Sequence, residues 1–208
     1  SISNFNVLPG YAGTFGFIAI DANTNSLVGV TNGHVIVDDQ FICSDRNQFN
    51  IGTNILGHKI IQPNETGNSL ESNSIGIVKR YLPITNSGYN YADVAIFTLK
   101  KEELDGYVSI TQEGLNYNFW LPFATTEEIN SLLSINPDLY FSGRTSGARG
   151  EGDVKLKITA IGLSADVDFQ LQNTFTTVDF ADCIKFRSVD STTQENLELN
   201  CPINTNTT

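Results

Sequence analysis

The chain has 208 residues, 40% hydrophobic and 17% charged, an ordinary soluble globular composition with room for one large domain or two small packed lobes. Its formal net charge of −11 argues against nucleic acid or an anionic membrane surface as a partner, and no apolar run approaches the length of a membrane span. Three cysteines and two histidines fit no zinc spacing, so neither a metal nor a cofactor is expected.

Strand and turn patterns dominate in chain order. Residues 13–20 read as an apolar and aromatic strand, residues 21–26 as an Asp/Asn/Thr turn, and residues 27–30 as the returning strand. That hairpin delivers His34 just past its end, after Gly33. Short strands are expected at 41–43 and 55–61, a surface loop at 63–74, a strand at 74–82, a turn at 83–90 and a strand at 92–99 headed by Asp93. This makes about six short strands, the number a small closed antiparallel barrel requires. A connector with little periodicity follows. Thr125 and Glu128 form a capping box ahead of Ile129, Leu132 and Leu133, predicting one short helix that ends before Pro137. Strands are expected again at 139–143, 154–161 and 175–186, with a glycine-punctuated turn at 144–152. After Arg187 the sequence turns polar, and a mobile tail is expected.

His34 and Asp93 are the candidate functional residues. A histidine and an aspartate, each held at a sheet edge, make two thirds of a nucleophile-activating triad. The plainer alternatives are a turn histidine and a strand-edge acid that accepts a backbone hydrogen bond. His58 reads as surface or core filler, and Arg144 as a carboxylate binder or an ordinary ion-pair partner. Cys183 and Cys201 either close a disulfide loop, with Cys43 free, or all three remain reduced thiols.

Three segments, in order, resemble the trypsin-like serine endopeptidases of the two-barrel chymotrypsin fold. Thr31-Asn32-Gly33-His34-Val35 resembles the segment of the family's general-base histidine. Ala92-Asp93-Val94-Ala95-Ile96 resembles that of the aspartate orienting it, 59 residues later. Ser142-Gly143-Arg144-Thr145-Ser146-Gly147 resembles the opening of the second barrel in bacterial and viral members. The resemblance implies an all-β fold of two antiparallel barrels of the chymotrypsin type, the second incomplete, with one short helix between or beside them. It implies a first barrel lobe with connector at 1–122, a partial second lobe at 123–187 and the polar tail at 188–208.

The family's nucleophile segment, Gly-Asp-Ser-Gly, is absent. Its glycines allow the tight turn that exposes the serine and aims backbone N–H groups into an oxyanion hole. Ser191 is the weak candidate: it follows Asp190, but Val189 and Thr192 beside it are β-branched and resist such a turn. Ser146 has a following glycine but falls in the barrel-opening segment. Cys201 precedes Pro202, which has no N–H to offer an oxyanion. A complete second barrel would need about three more strands after Phe186. The expectation is therefore a polypeptide-cleaving enzyme, with the nucleophile on a C-terminal fragment of the same precursor or on another chain that completes the barrel. The alternative is a catalytically inactive scaffold that serves as a binding or structural module. Acidity and cysteine usage lean towards an extracellular or particle-associated setting.

Overall fold

The computed structural model describes residues 2–4, 13–36, 42–43, 55–62, 74–100, 124–139, 142–143, 147–148, 155–171, 174–189 and 198–202. The described residues are mostly β, with mainly antiparallel sheets and two short helices. It divides into two units. The first comprises Ser1–Gly88, Asp93–Ile110 and Asp168–Val178, and the second Tyr89–Ala92, Thr111–Val167 and Asp179–Thr208.

The first unit contains β1 (Ser3–Asn4), β2 (Phe17–Asp21), β3 (Ser26–Thr31), α1 (Gly33–Ile36), β4 (Ile42–Cys43), β5 (Lys59–Ile61), β6 (Ser74–Tyr81), β7 (Ile84–Thr85) and β8 (Ala95–Thr98). Six of these strands form one antiparallel sheet in the order β1-β5-β6-β8-β3-β2. β4 and β7 form a separate parallel pair. The β2–β3 hairpin follows from its turn chemistry. Asn25 takes a left-handed φ of 51°, which asparagine tolerates. The Asp21 carboxylate accepts the Asn23 N–H at 3.1 Å and the Thr24 hydroxyl at 3.2 Å. Lys79 at 2.7 Å and Arg80 at 3.2 Å complete its surroundings. Its hydrogen bond to Lys79 is the foremost reason its carboxyl lies well below the usual carboxylate range.

Phe97 and Val78 fill the middle of this sheet with almost no solvent contact. The Phe97 ring lies over Gly29, its register partner, and meets Phe15 edge-on at 5.4 Å. A Cβ on Gly29 would sit 2.3 Å from Phe97 Cζ, so the bare glycine is what makes room for the ring against β3. The strand expected over 55–61 is confined to Lys59–Ile61, because Gly57 at φ 85° turns the chain just before it. The expected first strand starts only at Phe17. The residues ahead of it still pair locally: Gly16 N–H donates to Val30 O at 3.0 Å, and Gly13 exchanges two backbone hydrogen bonds with Ile2. No closed barrel is present among the described residues. β1 and β2 are the edges of the sheet, and the Ile2–Gly13 bridge joins β1 only to the approach to β2.

The second unit contains α2 (Thr126–Ile135), β9 (Ser142–Gly143) and β10 (Gly147–Ala148). Beyond them lie β11 (Lys155–Leu171), β12 (Thr174–Val189) and β13 (Glu198–Pro202), whose order in a three-stranded sheet is β11-β12-β13. β11 and β12 continue into the 168–178 segment that belongs with the first unit. The α2 capping box is present: the Thr125 hydroxyl accepts the Glu128 N–H, and the Glu128 carboxylate accepts the Thr125 N–H. Asn136 closes the helix at φ 54°, and Pro137 follows. β9 and β10 pair as a small hairpin. The buried Asn90 reaches β12, exchanging backbone hydrogen bonds with Asp179 and Ala181 and adding an Nδ2–H bond of 3.0 Å to Asp179 O.

Three strands here differ from the sequence reading. β11 runs ten residues past the segment expected at 154–161, and β12, at Thr174–Val189, slightly exceeds the one expected at 175–186. Within the region read as a tail, Glu198–Pro202 pairs with β12 from Cys183 to Arg187. Backbone hydrogen bonds make that pairing, so it needs no apolar alternation.

Candidate functional site

β3 ends at Thr31 and the chain enters α1, a single helical turn. Gly33, Val35 and Ile36 face inward while His34 faces out. Several contacts hold this turn. Asn4 Nδ2 donates to Ile36 O at 2.6 Å, the Thr31 hydroxyl donates to Thr14 O at 2.8 Å, and Val35 packs on Gly13. A Cβ on Gly13 would come within 2.4 Å of Val35 Cγ2, so any larger residue there would push directly on the turn bearing His34.

Asp93 lies two residues ahead of β8 rather than inside the strand. Asn32 Nδ2 donates to its carbonyl at 3.2 Å, and Leu82 N–H donates to the neighbouring Val94 O at 2.8 Å. Its side chain is 10% exposed and uses both oxygens on one residue. Oδ1 accepts the His34 backbone N–H at 3.1 Å, and Oδ2 bonds the His34 ring at Nδ1. The structure thus brings the two sequence-predicted residues together.

A carboxylate only accepts hydrogen bonds, so His34 Nδ1 carries the proton and the Nε2 lone pair is left to act. No described residue hydrogen-bonds Nε2, and the imidazole is 51% exposed. The Asp93 hydrogen bond raises the pKa of His34 above the ordinary histidine value; partial burial opposes this, and the negative charge of Asp93 adds to it. The ring also meets Phe169 in an edge-type contact, with centroids 6.0 Å apart and planes at 64°. Chemically, this is a base of adjustable charge with a fixed tautomer and an open nitrogen.

The other candidates lie elsewhere. Ser191, Ser146 and Arg144 fall outside the described residues. Cys201 lies in β13 opposite Ile184, and Pro202 lies opposite Cys183. Cys183 is buried and forms no disulfide. His58 is half-buried, its Nδ1 3.3 Å from Asn4 Nδ2, so Asn4 links both histidine-bearing turns. Among the described residues no cluster of His, Cys, Asp and Glu could hold a metal ion.

Sequence reasoning passed over Asn4, Asn32 and Phe169. Asn32 stood inside the quoted Thr-Asn-Gly-His stretch and could have been found there. Asn4 and Phe169 reach His34 or its turn from distant parts of the chain, and nothing local marks them. Comparison with protein-family models, with curated proteins and with solved structures finds no match for this chain.

Proposed function

We propose that this chain carries the general base and the orienting acid of a serine endopeptidase with the two-barrel, trypsin-like organisation. The observation that carries the reading is the two-oxygen grip of Asp93 on His34, with Nε2 left open. In the proposed reaction a serine hydroxyl attacks the scissile carbonyl while Nε2 takes its proton. The imidazolium then returns that proton to the leaving amine. Asp93 holds the tautomer and stabilises the transient positive charge without itself taking the proton. The three segment resemblances favour the barrel organisation, and a six-stranded antiparallel sheet in the unit that bears His34 and Asp93 is compatible with it. The nucleophile and oxyanion hole belong to a polypeptide outside these 208 residues, either a continuation of the precursor or a partner chain. The substrate is a polypeptide.

A covalent fluorophosphonate probe tests this. The chain alone is expected to stay unlabelled. Expressed together with whatever follows Thr208 in its reading frame, it is expected to show labelling at a serine within Gly-Asp-Ser-Gly, and His34→Ala should abolish that labelling. Strong labelling of Ser191 or Ser146 in the isolated chain would overturn the assignment of the nucleophile. A reading frame with no such serine would leave the inactive scaffold as the better account.

A further inference from the structure

The imidazole of His34 projects from one helical turn and is half exposed, so its two side-chain torsions are poorly restrained by packing. Among the described residues it has two directional contacts, the Asp93 carboxylate and the Phe169 ring. A single hydrogen bond at an exposed site competes with water and leaves the ring free to swing away. A second, apolar contact removes the space for that motion.

Phe169 is well placed to supply it. It lies near the far end of β11, in the 168–178 segment that belongs with the unit holding His34. The preceding residue is tied across the hairpin: the Thr177 hydroxyl donates to Asp168 Oδ1 at 2.6 Å. Nearer the base, Gly162 at φ 67° and Asp182 at φ 55° depart from strand geometry, one in each of the two long strands. Left-handed backbone bends a strand, and asparate-type residues adopt it less readily than glycine. Along β11 no residue between Ile161 and Phe169 is buried, although Val178 and Phe180 of β12 are. The hairpin tip nonetheless presents an aromatic ring to the one exposed histidine.

We propose that Phe169 is a positioning residue that holds the His34 imidazole in the rotamer facing Asp93. The inference rests on the reading of His34 as the general base, but it can fail separately. The phenyl ring does no chemistry itself in this role. It acts through the imidazole, keeping the Nδ1–H bond to Asp93 formed and Nε2 available.

Nitrogen-15 NMR of the two histidines in this chain reads this directly, at a pH where His34 is neutral. The shifts of Nδ1 and Nε2 report which nitrogen carries the proton. In the native chain the Nδ1–H tautomer of His34 is expected to dominate. Phe169→Ala is expected to raise the Nε2–H population several-fold, because a ring released from Asp93 reverts to the tautomer favoured in water. Phe169→Tyr keeps the aromatic face and should retain the native pattern. The His58 signals report an intact fold. Should Phe169→Ala disturb them, Phe169→Leu decides the matter through a smaller rise of the same sign. A dominant Nδ1–H form unchanged in the Ala or Leu variant overturns the role of Phe169 and leaves the His34–Asp93 pair standing. A dominant Nε2–H form in the native chain overturns the pair itself.

Discussion

On the proposed endopeptidase reading, Asp93→Asn, introduced into this chain assembled with the polypeptide that would supply the serine, is expected to lower kcat about 10⁴-fold while KM changes little. The side-chain oxygen of asparagine can still accept the His34 backbone N–H, as Asp93 Oδ1 does at 3.1 Å. Its amide group then faces Nδ1 and donates, where Oδ2 had accepted. Nδ1 must give up its proton to meet that donor, so the proton moves to Nε2 and the base is lost. Initial rates on a peptide substrate across a range of concentrations measure both constants. A loss of less than about tenfold would show that the carboxylate does not set the tautomer. The same substitution has a signature in stability. Folding raises the pKa of His34, so the pair's contribution is fully present below about pH 6.5 and fades as pH rises through the elevated value. Asp93→Asn should therefore destabilise the fold more in mildly acidic than in alkaline buffer.

The largest effect on stability is expected at Phe97. Its side chain has no solvent exposure, lies against Gly29 and packs on Phe15. Phe97→Ala is expected to cost about 3–5 kcal/mol, the range for removing a buried aromatic ring. Gly29 has no side chain to move into the space, and Val78, opposite Phe97 in β6, is fixed by its own burial. A typical domain has about 5–15 kcal/mol in all, so a loss near the top of the expected range leaves a marginal fold largely unfolded, and Phe97→Leu then provides a measurable intermediate. Denaturant midpoints at a constant slope give the difference. A cost under about 1 kcal/mol would show that the sheet has repacked around the missing ring.

These two sites also show what the sequence reveals and what it hides. Hairpin β2–β3 was legible because the Asp21 side chain accepts the Asn23 N–H, Asn25 tolerates the left-handed φ of the turn, and apolar residues flank it on both sides. Helix α2 was legible because Thr125 and Glu128 satisfy each other's backbone donors whatever the rest of the chain does. His34 and Asp93 stood out because a charged or ionisable side chain beside an apolar run requires a partner. The length of β11 was hidden because Gly162, Leu163 and Ser164 are all exposed and no burial imposes alternation on them. β13 was hidden for a related reason: residues Glu198–Pro202 join β12 through backbone pairing, which leaves little mark on composition. Phe169 was hidden because its contact with His34 is a tertiary one across more than a hundred residues.

The account depends on Asp93 keeping His34 protonated at Nδ1 and electrically tuned for proton transfer. Titration of the His34 ring by NMR, in the native chain and in Asp93→Asn, tests this most directly. The account predicts a native midpoint above the ordinary histidine value of 6.5 and a fall in that midpoint when the carboxylate is removed. A native midpoint at or below 6.5 that does not move in Asp93→Asn would contradict it.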